Sequence, residues 1–255
     1  PTGPPPIDVP TVERPPDTLN AALIARFKLL PLPPVPYPMN NRYNVHRVRL
    51  GRLLFFDPIL GGESAPWVKS AAGKDPYRYR ASDVACGTCH MPQFGFADNR
   101  KLGAGPGGGT GEAHLVGPDR KIAAPSIITG KPLGIEPRNS MTVLNTGLNG
   151  KNTIQPNFRS FMLMDGAVVD GLETQAFGPP NNRDEMAGDA YGRPELGDAL
   201  NGVAILDSLR WRVVNIPEYF ELFKLAFSDR GITVPADVRP DMILLCISAY
   251  ERELV

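Results

Sequence analysis

In the C-terminal part of the chain, hydrophobic residues recur about every three to four positions, which is the period of an amphipathic helix. This pattern predicts helices in the segments ALNGVAILDSLRWRVV, PEYFELFKLAF and RPDMILLCISAYEREL. The second segment begins with Pro217, and proline is favoured at the first position of a helix. Shorter helices are predicted in MTVLNTGLN and in GLETQAF, which is followed by GPPNN.

A further helix is predicted in NVHRVRLGRLLFFD, and the Asp57-Pro58 pair ends it. The apolar side chains near one face of this helix are Val45, Val48, Leu50, Leu53 and Leu54. Alternation of apolar and polar residues is scarce, and no hairpin signal separates two alternating runs. The predicted fold class is therefore mainly α, with long Gly/Pro-rich loops such as residues 99–137.

Proline and glycine interrupt this pattern, with 28 and 26 residues respectively. PTGPPPIDVPTVERPPD and PLPPVPYP cannot form a helix interior or a central strand, because proline lacks the backbone donor. We expect residues 1–44 to be an extended Pro-rich arm with a short helix, LNAALIARFKLL, and residues 45–255 to be one domain. We expect the arm to lie across that domain; the alternative is a docking segment for a larger complex.

Composition excludes some classes of partner. The chain has 255 residues, and its 27 basic and 27 acidic residues give a formal net charge of zero. No single-sign field is therefore expected to attract nucleic acid or an anionic membrane surface. No apolar run approaches the roughly 20 residues of a transmembrane helix. The chain starts without a charged or apolar leader, so we expect any signal peptide to have been removed.

Two of the three cysteines lie in VACGTCHMPQFGFAD, and a histidine follows the second directly. A Cys-x-x-Cys pair can be a redox disulfide, half of a zinc site, or the attachment point of a c-type haem. A zinc site needs further ligands, and Cys246, His46 and His114 form no second pair. A thioredoxin-like motif would follow a strand, and none is predicted before Val84.

The haem interpretation uses all three residues of the motif. Positions i, i+3 and i+4 share one face of a helix, so Cys86 and Cys89 can bond to the two porphyrin vinyl groups while His90 ligates the iron. The sequence therefore predicts one covalent haem c. Because this attachment normally takes place outside the cytoplasm, we expect a periplasmic or otherwise extracytoplasmic protein. Cys246, in MILLCISAY, is expected to be a buried thiol.

Six segments then occur in the order and near the spacing of the N-terminal haem domain of bacterial di-haem cytochrome c peroxidases, a pattern that MauG-type enzymes share. They are LGRLLFFDPIL, CGTCHMPQFGFAD, RNSMTVLNTGLNG, DGAVVDGLETQAFGPPNNRDEM, IPEYFELFKLAF and CISAYERELV. The chain resembles that family over residues 47–255. The resemblance implies a cytochrome-c-like domain whose haem reacts with peroxide and has His90 as its proximal ligand.

The resemblance also implies roles for four residues outside the haem motif. Gln175 and Glu185 match the family's distal glutamine and distal glutamate. Asn139 resembles an asparagine near a calcium ion, and His114 lies in the loop that often supplies a sixth iron ligand. A carboxylate such as Glu185 can serve peroxide cleavage as base and acid in turn, and a neutral amide such as Gln175 can orient the peroxide.

Two departures from the family pattern leave the function open. Met164 stands where the family has a tryptophan that relays electrons, and it is expected to be a core side chain or a haem ligand. The chain has no second CxxCH motif, although these peroxidases take electrons from a second haem. Three hypotheses follow: a peroxidase domain supplied by another haem domain or a partner cytochrome, an electron-transfer cytochrome, and a structural haem subunit of a larger complex.

Overall fold

The computed structural model describes residues 25–28, 34–61, 69–70, 73–74, 84–98, 139–148, 162–164, 167–169, 171–188 and 202–255. The contacts within the chain divide it into two units, Pro1–Pro34 and Val35–Val255. In the first unit, the described residues 25–28 form one turn of helix, within the predicted LNAALIARFKLL. The rest of that segment and the predicted long loop at 99–137 lie outside the described residues. The domain boundary at residue 44 stays a prediction.

The described part of the second unit is mainly helical, as the sequence predicts. Its α-helices are α1 Val45–Phe56, α2 Cys86–Cys89, α3 Gly171–Gln175, α4 Gly178–Asn181, α5 Gly202–Val214, α6 Pro217–Ala226 and α7 Asp241–Glu251. A π-helical turn covers Arg183–Ala187. Single 3₁₀ turns cover Met39–Asn41, Pro58–Leu60, Pro92–Phe94, Thr146–Leu148, Ser228–Arg230 and Pro235–Asp237.

Two small antiparallel hairpins accompany the helices. Strand β1 (Lys69–Ser70) pairs with β2 (Gly73–Lys74), and β3 (Met162–Met164) pairs with β4 (Ala167–Val169). In the backbone register of the second hairpin, Met162 pairs with Val169 and Met164 pairs with Ala167. Strands of two or three residues are too short to show the alternation by which strands are recognised in a sequence. For this reason the sequence pattern predicts neither hairpin.

One predicted helix is wrong. In the described part of the segment MTVLNTGLN, residues 141–148, the only helical element is the 3₁₀ turn Thr146–Leu148, and the residues before it are irregular or in a turn. Asn145, just before this turn, has a φ of 61° in the left-handed region. A right-handed helix cannot run through that conformation. The apolar pattern of this segment instead reflects single buried side chains such as Val143.

The core forms where α1 crosses α7. A Cβ built on Gly51 would overlap the backbone carbonyl of Cys246, so the close approach of the two helices requires glycine at this position. The ring centroids of Phe55 and Tyr250 lie 5.3 Å apart at the same crossing. Cys246 is fully buried, as the sequence predicts. Residues Met242–Glu251 are all buried, which explains why α7 is apolar on nearly every face.

Helices α5 and α6 close the core from the other side. Pro217 occupies the start of α6, as predicted, and Phe223 stacks on Phe227 with centroids 6.2 Å apart. Buried Arg212 of α5 donates to the carbonyl oxygen of Gly61 at 2.6 Å, which anchors the chain after the first helix. Among the helices that the structure describes, none combines the length and the apolar character needed to cross a membrane.

The last residues of the Pro-rich segment pack on α7. Arg252 Nε donates to the carbonyl oxygen of Pro36 at 3.2 Å. The amide of Asn41 is buried and donates to the carbonyl oxygen of Leu245 at 2.8 Å. The ring of Tyr37 meets Tyr43 edge-on, with centroids 5.6 Å apart. Residues 36–41 therefore belong to the packed surface of the helical unit.

Candidate functional site

Residues 84–98, here the proximal segment, bring the two thiols and the imidazole of the CGTCH motif onto one turn. The hydroxyl of Thr88 accepts from the backbone N–H of Ala85 at 3.0 Å, which fixes the start of α2. The backbone N–H of His90 donates to the carbonyl of Cys86 at 2.9 Å and closes the turn. The side chains of Cys86 and Cys89 are both half-buried. The two thiols therefore lie on the single helical turn Cys86–Cys89, and His90 follows at its C-terminal end, outside the helical conformation.

The imidazole of His90 is oriented by the main chain. Its Nδ1 lies 3.0 Å from the carbonyl oxygen of Met141 and 3.1 Å from that of Phe96. Carbonyl oxygens only accept, so Nδ1 carries the proton and the lone pair is on Nε2. This is the arrangement that orients metal-binding histidines in proteins.

The electrostatics of His90 favour the form that binds a metal. Burial lowers the pKa of the imidazole, although the two carbonyls and the carboxyl of Asp98 act in the opposite direction. A neutral imidazole is required for ligation, because the protonated ring has no free lone pair. The donor set of two thiols on one turn and an imidazole with its lone pair on Nε2 fits a c-type haem.

A left-handed backbone turn that the sequence pattern does not predict places the two carbonyl acceptors. Phe96 has a φ of 57°, and this left-handed conformation follows a left-handed Gly95. The chain at 139–142 runs beside this turn, since Asp98 N donates to the carbonyl of Ser140 at 3.1 Å. A strained non-glycine residue costs about 1–3 kcal/mol and is common at functional sites. Main-chain atoms carry no sequence signal, so this contact could not be predicted.

Aromatic side chains of α1 line the same region. The ring of Phe55 lies 6.3 Å from the ring of His90, centroid to centroid. Gly87, inside the CGTCH motif, faces the ring of Phe56, and a Cβ at this position would overlap that ring. Aromatic side chains of α1 therefore pack against the CGTCH turn. Burial raises the pKa of Cys86, and the carboxyls of Glu251 and Glu185 and the thiol of Cys89 raise it further.

Residues 171–188, here the distal segment, carry the two residues implied by the family resemblance. Gln175 is buried at the end of α3. Glu185 lies in the π-helical turn, where its Oε1 accepts from Asn182 Nδ2 at 3.0 Å. The side-chain oxygen of Asn182 accepts from the backbone N–H of Asp184 at 2.9 Å and caps this turn. Single π-helical turns are frequent at functional sites, and sequence reasoning did not predict this one.

An ion pair fixes the distal segment to α7. Arg252 donates to both carboxylate oxygens of Glu173, at 2.7 Å and 2.9 Å, and its side chain is only 3% exposed. Asn41 Nδ2 and Ser248 Oγ donate to the same carboxylate at 3.0 Å and 3.2 Å. Burial acts to raise the pKa of Glu173, yet Arg252 and Asn41 keep it below its usual value. Sequence reasoning missed this pair, whose members lie 79 positions apart.

Of the remaining candidates, Asn139 contacts the proximal segment. Asn139 is exposed, and its Nδ2 lies 3.4 Å from the carbonyl of Asp98. Met164 lies on β3, and His114 lies outside the described residues. In the part of the chain that the structure describes, no group of three or more His, Cys, Asp or Glu side chains is arranged to bind a metal ion. A calcium site at Asn139 stays a prediction.

Comparison with protein families gives a match over residues 45–255 to di-haem cytochrome c peroxidase. Cytochrome-c peroxidase IdrP1 of Denitromonas iodatirespirans is 29% identical over 236 residues, which cover 92% of this chain and 43% of that protein. The protein of the same name from Pseudomonas sp. (strain SCT) is 26% identical over 227 residues, covering 89% and 40%. The chain thus spans about two fifths of the length of these curated relatives.

Two further similarities are more limited. Methylamine utilization protein MauG of Methylorubrum extorquens is 34% identical over 87 residues, 34% of this chain and 19% of that protein. Among solved structures, a MauG-like protein associated with microbial copper homeostasis aligns with a TM-score of 0.51 at 20% identity. This alignment covers 88% of this chain and 45% of that one. The structural likeness shows the fold alone.

Proposed function

The chain belongs to the di-haem cytochrome c peroxidase family, and we propose that it carries one covalent haem c and reduces hydrogen peroxide. Cys86 and Cys89 would bond to the porphyrin, and His90 would bind the iron through Nε2. When bound, the haem supplies a redox-active iron at which peroxide takes up two electrons. The observation that supports this proposal most is the pair of carbonyls at 3.0 Å and 3.1 Å from His90 Nδ1.

Glu185 is the acid and base of this proposal. Its carboxyl takes a proton from the incoming peroxide and returns it to the departing oxygen, which leaves as water. Two observations support the role: the hydrogen bond from Asn182 fixes the carboxyl, and its charge acts on the pKa of Cys86. Gln175 orients the peroxide with its neutral side-chain amide.

The electrons come from outside the described site. The chain has a single CxxCH motif and spans about two fifths of its curated relatives, so we propose a second haem domain or a partner cytochrome as the donor. The proposed location is extracytoplasmic, because haem attachment to CxxCH takes place there.

Optical spectroscopy of the purified haem protein with peroxide tests the proposal. We expect a ferric spectrum that shifts on adding cyanide, and consumption of one peroxide for every two electrons taken from a reduced donor cytochrome. A spectrum that changes with neither cyanide nor peroxide, even after partial reduction, would contradict peroxide reduction. It would not contradict the proposed haem attachment.

The second candidate function is an electron-transfer or structural cytochrome subunit without peroxidase activity. The substitution of Met164 for the family tryptophan favours it, since a methionine or His114 can fill the sixth iron position. Deletion of residues 1–34 tests the structural role. This deletion leaves the contacts of Pro36 and Asn41 with the helical unit in place. Release from a native complex with an unchanged spectrum would support the subunit role, and retention in the complex would oppose docking through the arm.

A further inference from the structure

A buried carboxyl group at the end of α7 has no role in the proposed reaction. Glu251 is the last residue of α7 and is 5% exposed. Its Oε2 has no hydrogen-bond partner among the described residues. Burying a carboxylate without compensating partners is costly, so such a group favours its neutral, protonated form.

The charged groups around Glu251 only partly offset the energetic cost of burying its carboxylate. Arg252 follows it directly, but both Nη atoms of that guanidinium donate to Glu173 of α3. The carboxylate of Glu173 adds a like charge. The resulting pKa of Glu251 is raised to about 8, with burial as the main cause, Arg252 opposing it and Glu173 adding to it.

The other titratable and charged groups in this region act less directly. Cys86 of α2 interacts electrostatically with Glu251, and Glu185 of the π-helical turn acts on the same thiol. Arg52 of α1 acts on Tyr250, the neighbour of Glu251 in α7. Tyr37, on the packed segment before α1, donates to Glu253. Glu251 is therefore the buried acid of α7 whose charge acts on a haem-attachment residue.

The link to function is the packing of the end of α7 beside the haem-binding turn. The ring of Tyr250, the neighbour of Glu251, lies 5.3 Å from the ring of Phe55, which lies 6.3 Å from the ring of His90. The charge of Glu251 also acts on Cys86. Cys86 would be bonded to the porphyrin and not to the iron, so a charge that acts on its sulfur also acts on the haem. We propose that Glu251 is a proton-binding site coupled to the haem: its carboxylate takes up one proton from water when the iron takes one electron from a donor, and releases it on oxidation. This inference rests on the proposed haem attachment at Cys86.

Electrostatics sets the direction of this coupling. The oxidised haem carries one positive charge more than the reduced haem, and an opposite charge nearby favours the carboxylate. Glu251 therefore has a lower pKa in the oxidised protein than in the reduced protein. By reciprocity, the deprotonated carboxylate stabilises the oxidised state, so the reduction potential falls as pH rises. An effect of about tenfold on the reduction equilibrium corresponds to about 59 mV for a one-electron couple.

Spectroelectrochemical titration of the native holoprotein between about pH 6 and about pH 10, a range that brackets the raised pKa, tests the coupling. We expect the midpoint potential to fall by about 59 mV between acid and alkaline plateaus. Glu251→Gln should remove the transition and leave the potential near the acid plateau, because glutamine is neutral. Glu253→Gln is the matched control and should keep the transition, as should Glu185→Gln. A transition that persists in Glu251→Gln, or that disappears in Glu185→Gln, would overturn the assignment.

A second measurement uses the unaltered protein, in case Glu251→Gln does not assemble. The redox-induced infrared difference spectrum near pH 8 should show a protonated carboxyl band in the reduced form that weakens on oxidation. The absence of such a band would overturn the proposal. A protein without covalent haem would contradict both this inference and the proposed function. A covalent haem whose reduction potential does not depend on pH would contradict the inference alone.

Discussion

The proximal and distal segments place their candidate site residues by different means. In the proximal segment, the motif is contiguous and main-chain carbonyls orient His90. In the distal segment, Gln175 and Glu185 lie on separate turns, and side chains fix them: Asn182 contacts Glu185, and Glu173 of the same helix as Gln175 pairs with Arg252. Side-chain substitution should therefore disturb the distal geometry far more readily than the orientation of the proximal imidazole.

Replacing His90 with alanine should have the largest effect, because it removes the imidazole that we propose as the proximal iron ligand and that two main-chain carbonyls orient. We expect loss of peroxide reduction and a changed ferric spectrum, while the haem stays bonded to Cys86 and Cys89. Optical spectra and peroxide consumption are the measurements. His46→Ala is the control, since half-buried His46 lies on α1, and it should retain both properties. Wild-type spectra in the His90 variant would refute the proximal role.

The Glu185→Gln substitution should lower the rate of peroxide cleavage by about 10²–10⁴-fold, the range of general acid–base catalysis. Glutamine keeps the size of the side chain but cannot accept and return a proton. Stopped-flow mixing with peroxide measures the rate, and the haem content should stay normal. Asp184→Asn is the neighbouring control and should react at nearly the wild-type rate. Unchanged turnover in the Glu185 variant would show that the distal segment does not supply the proton.

Glu173→Gln should destabilise the fold by about 3 kcal/mol, because it leaves the guanidinium of Arg252 buried and without its charged partner. Urea unfolding gives the free energy. The control is Glu221→Gln, which removes a carboxylate paired at 2.9 Å with Lys224 on the surface. That exposed pair should contribute less than about 1 kcal/mol. Equal losses in the two variants would show that the buried pair has no special part in fixing α3.

The pH dependence of the Glu173 effect has a defined sign. The pKa of Glu173 is lowered in the folded protein, so the unfolded chain binds more protons as the solution becomes acidic. The stabilisation is complete above the unfolded pKa of about 4.3 and is lost as pH falls through the folded pKa. The stability difference between wild type and Glu173→Gln should therefore shrink below about pH 4.3. A difference that grows on acidification would contradict the assigned direction.

The smallest effect is expected for Asn182→Ala, compared with Asn44→Ala. Each asparagine caps a turn: Asn182 accepts from Asp184 N, and Asn44 accepts from His46 N and Arg47 N. Loss of either cap should cost about 1 kcal/mol in unfolding free energy. Only Asn182→Ala should also slow peroxide cleavage, because Asn182 contacts Glu185 as well. Equal peroxide rates in the two variants would remove Asn182 from the site.

The same contrast explains how much the sequence could predict. The CGTCH turn, the main helices and the buried thiol of Cys246 follow from short-range patterns, and the structure agrees with them. Helix ends are less predictable: α7 begins at Asp241 and not at Arg239, because the residue before a proline disfavours the helical conformation and Arg239 precedes Pro240. The left-handed Phe96 that orients His90 leaves no trace in the apolar pattern.

The polar core around α7 could not be predicted for a different reason. Glu173 and Arg252 look like ordinary surface charges in the sequence, and only the crossing of distant elements buries them together. Glu251 lies in AYEREL, where a charged residue near a helix end would be expected to face water. Its burial depends on the tertiary packing of α7.

Intact-mass spectrometry of the denatured protein, purified from its native host, tests the central claim most directly. The account predicts a chain heavier by one haem, with the added mass mapping to the peptide that contains Cys86, Cys89 and His90. A chain of the bare polypeptide mass, with both thiols free, would contradict it.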